Sequence, residues 1–162
     1  MKTLKKITSL FILMIIPLVG AQAFNGGDME VEPSQNVRTI EMIGDDQMNF
    51  DVTKITAKPG EKIRIVLTTV SKLPPAAMSH NVVVLQKDTD VEAFANASAM
   101  SPDNDYIAPD MEDEIIAATG MAGGDETVEV TFTVPEETGD YPYICSFPGH
   151  FYGGMKGILT VQ

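Results

Sequence analysis

With 162 residues and 44% hydrophobic content, the chain is long enough for one domain with a buried core and too apolar to be disordered. A formal net charge of −12 excludes nucleic-acid binding through the phosphates and favours basic partners. A single cysteine leaves no internal disulfide to form.

Residues 1–23 read as a targeting segment. Lys2, Lys5 and Lys6 give a positive start, Leu10 to Ala21 is an apolar run, and Ala21-Gln22-Ala23 is a small-residue cleavage site. The run is shorter than the roughly 20 apolar residues of a membrane span. The expectation is a signal peptide cut after Ala23, a periplasmic location, and no stable membrane insertion after cleavage. Residues 24–36 carry Asn-Gly-Gly-Asp and Glu-Pro-Ser without an apolar period, and are expected to form a flexible arm.

From Val37 the pattern is β. Ile40 and Met42 alternate with polar residues, Gly44-Asp45-Asp46 is a turn, and Met48, Phe50 and Val52 alternate again. Lys58-Pro59-Gly60-Glu61 is a turn, and Ile63, Ile65 and Leu67 predict a half-buried strand that stops before Pro74-Pro75. His80 to Leu85 is apolar on both faces, which predicts a central strand with His80 at its start. Thr89-Asp90-Val91-Glu92 has the form of a capping box, with Thr89 as the cap of a helix whose apolar face holds Val91, Phe94, Ala95 and Ala99. Ser101-Pro102-Asp103 ends that helix. Ile115 and Ile116 start another strand. Val128, Val130, Phe132 and Val134 alternate with Glu129, Thr131 and Thr133. Tyr141, Tyr143 and Cys145 share a strand face, and Lys156 to Gln162 is the closing strand. Seven or eight strands with one helical insert predict an antiparallel β-sandwich.

The chemistry is concentrated in Cys145-Ser-Phe-Pro-Gly-His150-Phe-Tyr-Gly-Gly-Met155, which holds the only cysteine and one of two histidines. The other histidine, His80, lies at the start of a central strand. A thiolate, two imidazoles and a thioether form the donor set of a blue-copper electron-transfer centre, because sulfur ligands suit Cu(I) and imidazole suits both oxidation states. Each residue alone is ordinary, since a strand histidine or a buried methionine is usually structural. Together they fall at strand ends that a sandwich brings into one place. One copper per chain is the expected cofactor, with His80, Cys145, His150 and Met155 as its ligands.

Four stretches make the chain resemble the azurins, type I copper proteins of the cupredoxin family: residues 44–50 (Gly-Asp-Asp-Gln-Met-Asn-Phe), 78–81 (Met-Ser-His-Asn), 104–110 (Asn-Asp-Tyr-Ile-Ala-Pro-Asp), and 145–157 from Cys-Ser-Phe-Pro-Gly-His through Met-Lys-Gly. The resemblance implies an eight-stranded Greek-key cupredoxin sandwich over residues 37–162, with one short helical insert. It also implies reversible one-electron transfer without substrate chemistry. It makes His80, Cys145 and His150 the trigonal ligands and Met155 the distant axial one. The backbone N–H groups of Asn81 and Phe147 would bond the thiolate, and the Ser79 carbonyl would be a weak further contact. Three departures stand out. Four residues rather than three separate His150 from Met155, as in auracyanin-like proteins; the azurin disulfide is absent; and Val82 occupies a position where many azurins carry tryptophan.

The expected partners are redox proteins, such as c-type cytochromes or copper and haem enzymes, that dock near His150. The expected docking patch holds Pro74, Pro75, Ala76, Met78, Pro148 and Phe151. An enzyme on this frame, such as a copper nitrite reductase or oxidase, needs further metal sites built from more histidines than the chain has.

Overall fold

The computed structural model describes residues 36–162. The expected signal peptide and residues 24–35 of the expected arm lie outside the described residues.

Eight strands form two sheets. They are β1 (Arg38–Asp45), β2 (Lys54–Ala57), β3 (Lys62–Val70), β4 (Val83–Leu85), β5 (Ile115–Ala118), β6 (Thr127–Thr133), β7 (Gly139–Ile144) and β8 (Lys156–Val161). One sheet runs β1-β3-β6 and the other β2-β8-β7-β4-β5. The core lies between them. From β3 come Ile63, Ile65 and Leu67, from β7 Tyr141 and Tyr143, and from β8 Leu159 and Val161, all buried. These are the alternating positions of each strand, so the period of two decides which side chains leave water.

Two expectations change. The sandwich is not purely antiparallel: β1 pairs with β3, and β2 with β8, in parallel. Alternation along a strand records which face is buried and carries no information about the direction of its partner. The second β segment also sits later than expected. Met48 to Val52 is mostly loop, with Phe50 only bridging Gly44, and the strand is Lys54–Ala57 with Ile55 and Ala57 inward. Phe50 is buried nonetheless, so its apolar signal was core burial without a ladder.

The insert is a helix, α1 (Val91–Ala99), followed by a single 3-10 turn, Pro102–Asn104, and a longer 3-10 segment, Pro109–Glu114, kinked at Met111. The cap is Asp90 rather than Thr89: the Asp90 carboxylate accepts from the Ala93 N–H at 3.0 Å. Thr89 instead donates to Glu114 at 2.6 Å. Asp and Thr both cap well, and position relative to the first helical turn decided between them. Phe94 and Ala95 pack with Val83, Leu85 and Ile144 in a second core on the outer side of the five-stranded sheet. That makes β4 apolar on both faces and places it centrally, with His80 just ahead of it.

Candidate metal centre

Three elements converge at one end of the sandwich. His80 precedes β4 and is held on both sides by Ala122, donating to its carbonyl at 2.9 Å and accepting from its N–H at 2.8 Å. Cys145 follows β7, and its N–H bonds the Met155 carbonyl at 3.0 Å. His150 opens a single helical turn, α2 (His150–Gly153), after Gly149 at φ 84. The turn closes with Gly154 at φ 107: the Gly154 N–H bonds the Phe151 carbonyl at 3.2 Å, and the Met155 N–H bonds the His150 carbonyl at 3.0 Å. That pair of bonds is a Schellman motif, and its left-handed position favours glycine. The extra residue before Met155 is thus absorbed by the closed turn. Met155 itself stays at the base of the β7–β8 hairpin, opposite Cys145.

The side chains meet in a buried pocket. His80 Nδ1 and His150 Nδ1 are 3.1 Å apart, and Cys145 Sγ is 3.4 Å from His150 Nδ1 and 4.0 Å from His80 Nδ1. His80 and Cys145 are fully buried and His150 is 2% exposed. These three edges bracket the roughly 3.5–3.8 Å expected when two nitrogens and a sulfur surround one ion at bonds of about 2.0–2.3 Å. Both imidazoles turn the same nitrogen inward. Without an ion only one proton can lie between the two Nδ1 atoms, whereas a cation satisfies both lone pairs and the sulfur together. The donor set and its spacing fit a soft transition metal.

Electrostatics agree with a site that holds no charge of its own. Burial, helped by the nearby His80, lowers the His150 pKa to about 4. Burial also lowers that of His80, against the opposing pull of the Asp45 backbone carbonyl. His80 Nε2 is buried and lacks a partner of good hydrogen-bond geometry. Burial pushes the Cys145 thiol up to about 12, while the backbone N–H groups of Asn81 and Phe147 act in the opposite direction. A bound cation would override that shift and take the sulfur as thiolate. Both imidazoles are already neutral at pH 7, so the thiol is the one proton to be displaced.

The surroundings hold the donors in place. Asn81 donates to Ser146 Oγ at 2.8 Å, and its Oδ1 accepts from the Ser146 N–H at 2.9 Å and from Ser146 Oγ at 3.2 Å. The residues next to His80 and Cys145 are thereby tied across the pocket. The Phe147 ring packs 4.8 Å from the His150 ring and 5.0 Å from that of Tyr106. The Ser79 carbonyl lies 4.0 Å from Cys145 Sγ. Met155 is fully buried. The sequence reading missed Gly44, which it took for a turn residue. A Cβ there would lie 2.8 Å from His80 Cδ2 and 2.8 Å from Met155 Cε, so only glycine lets β1 pass that close to both side chains.

A family profile described as copper binding proteins, plastocyanin/azurin family, matches residues 36–162. The chain belongs to that family. Among its plastocyanin/azurin relatives, azurin of Alcaligenes faecalis is 37% identical over 125 residues, covering 75% of this chain and 96% of the relative. Auracyanin-A of Chloroflexus aurantiacus is 37% identical over 119 residues, covering 72% of this chain and 69% of the relative. The solved structure of auracyanin A, a "blue" copper protein of that organism, superposes with a TM-score of 0.68 at 36% identity, covering 78% of this chain and 99% of that one. The cupredoxin sandwich expected from the resemblance is therefore the observed fold, and copper is the metal of this donor set.

One expectation about the surface is corrected. Pro74, Pro75, Ala76 and Pro148 are exposed and Phe151 is half-buried, but Met78 is only 8% exposed. The Met78 N–H bonds the Pro74 carbonyl at 3.0 Å, closing a turn that folds its side chain inward.

Proposed function

We infer that this protein carries single electrons between redox partners by cycling one copper ion between Cu(I) and Cu(II). The observation that carries this reading is the convergence of His80 Nδ1, His150 Nδ1 and Cys145 Sγ within 4.8 Å of one another, all buried. His80, Cys145 and His150 would hold the ion, with the buried Met155 thioether as a fourth donor. The Asn81 and Phe147 N–H groups stabilise charge on the sulfur and so tune its donation. The copper supplies the change of oxidation state. The protein's part is to keep the donors in one arrangement for both states, so that little has to move on transfer. Pairing at the β7–β8 hairpin base, the bonds between Asn81 and Ser146 and the aromatic stack on His150 all serve that end.

Both histidines of the chain are engaged at this one centre, which leaves no imidazole for a second, catalytic copper. This supports a carrier rather than an oxidase or reductase. The signal-like segment at 1–23, followed by the arm to residue 36, supports export to the periplasm ahead of the cupredoxin domain at 37–162. Partners of the c-type cytochrome or copper and haem enzyme kind would dock on the exposed surface of Pro74, Pro75, Ala76 and Pro148 beside His150.

Loading the mature protein with Cu(II) should give an intense visible copper–thiolate band that is lost in Cys145→Ser. A colourless wild-type product would overturn the reading. Ala76→Glu should slow electron exchange several-fold with an unchanged visible spectrum, and unchanged exchange kinetics would remove the docking surface from this face.

A further inference from the structure

The loop between β1 and β2 contains a conformation its sequence does not favour. Met48 has φ 58, in the left-handed region that glycine or asparagine normally fills. The conformation is held from both sides. Asp45 Oδ1 accepts from the N–H groups of Gln47 and Asn49 at 3.0 and 3.1 Å. The Met48 N–H bonds the Asp45 carbonyl at 3.0 Å, and the Asp45 N–H bonds the Asn49 carbonyl at 3.2 Å. Glycine would satisfy this turn with no strain. A long side chain kept there at a conformational cost points to work done by the side chain itself.

That side chain lies against the ligand loop. A Cβ on Gly153 would sit 2.9 Å from Met48 Sδ, 3.0 Å from its Cε and 3.1 Å from its Cβ. Gly153 is not among the glycines at positive φ, so it is needed for space and not for backbone conformation. The loop follows directly on the end of β1, where Gly44 makes the close approach to His80 and Met155 described above. The end of β1 and the loop after it thus bear on two donor residues at Gly44 and on the ligand hairpin at Gly153.

Resting on the copper reading, we propose that Met48 is a positioning residue: a steric stop that seats the ligand loop through Gly153 and so fixes Met155 relative to His80. The Cys145–Met155 backbone bond holds Met155 from the hairpin side. The Schellman turn fixes its distance from His150. Neither prevents the α2 turn from swinging as a unit toward the β1–β2 loop, and the Met48 side chain packed against Gly153 blocks that movement.

The test is a size-compensation cycle of Gly153→Ala, Met48→Ala and the double variant. In the metal-free protein, Gly153→Ala should speed hydrogen exchange at the Met155 N–H by about tenfold, and the double variant should return toward wild type. With copper bound, Gly153→Ala should shift the reduction potential and the rhombicity of the electron paramagnetic resonance spectrum, and Met48→Ala should reverse both shifts. Rescue of folding by the double variant, if Gly153→Ala alone does not fold, counts as the same relief. Wild-type potential and exchange in Gly153→Ala would overturn the proposal, as would a double variant that is as perturbed as the single one or equally unfolded. If no form binds copper, the copper reading falls, and the exchange measurement still decides the role of Met48.

Discussion

Asn81→Ala is expected to be among the costliest substitutions that leave every copper donor in place. The side chain is fully buried and its amide makes three hydrogen bonds, all to Ser146. Its removal leaves the Ser146 N–H without an acceptor in a residue that is only 2% exposed. An unpaired buried donor costs about 1–3 kcal/mol, and the bonds to the Ser146 hydroxyl contribute about 1 kcal/mol more. The expected loss is about 2–4 kcal/mol out of a typical 5–15 kcal/mol. With a urea dependence of about 2 kcal/mol per molar, the unfolding midpoint should fall by about 1–2 M. The measurement belongs on the metal-free protein, because bound copper adds stability through its own affinity and masks the difference. Ser146→Ala should cost less, since the Ser146 N–H keeps Asn81 Oδ1 as its acceptor. The double-mutant cycle should show coupling of about 1 kcal/mol or more. A fall below about 0.5 kcal/mol for Asn81→Ala, or a larger cost for Ser146→Ala, would refute the assignment of this pair as the tie between the two ligand strands.

Gly44→Ala should destabilise the metal-free protein by about 1–3 kcal/mol through overpacking and broaden or shift the copper–thiolate band, because the new methyl meets both the His80 ring and the Met155 methyl. A variant with wild-type stability and spectrum would show that β1 has room to spare. Glu61→Gln tests a surface pair by pH. Arg38 Nε lies 2.5 Å from Glu61 Oε1, and this bond, with the Lys58 N–H next, lowers the Glu61 pKa. A lowered folded pKa means stability present above the unfolded value of about 4.3 and lost as pH falls through the folded value. The pair is partly exposed, so wild type should exceed the variant by only ~0.5 kcal/mol at pH 7, with the gap closing below about pH 4. A gap that persists at pH 2 in urea titrations would contradict this account.

The site was legible because its donors are chemically rare in this chain. One cysteine and two histidines cannot be mistaken for background, and the spacing 145–150–155 places three candidate donors on one hairpin. What surrounds them was less visible. Gly44 looked like an ordinary turn, because a glycine that yields space to a neighbour has no local signature. Met78 was expected in the exposed docking patch, yet the Pro74–Met78 turn folds it inward. The β2 segment Lys-Ile-Thr-Ala shows one large apolar residue, too weak a pattern to outweigh Met48, Phe50 and Val52. Parallel pairing was invisible for a related reason: a strand's own alternation names its buried face and leaves the direction of its neighbour to the connections.

The hairpin base carries a consequence for how such proteins diversify. The last ladder pair joins Ile144 and Lys156, and the next bond inward joins Cys145 to Met155. The Cys145 and Met155 positions are therefore set by the frame, and the segment between them is free to gain or lose a residue so long as it closes on that bond. Here one residue more than the usual azurin spacing is accommodated in a single helical turn sealed by Gly154. Insertions and deletions, usually the most disruptive changes near a metal, become a gentle means of variation at this tip. They can move His150 and reshape the outer surface while the Cys145–Met155 pair stays registered.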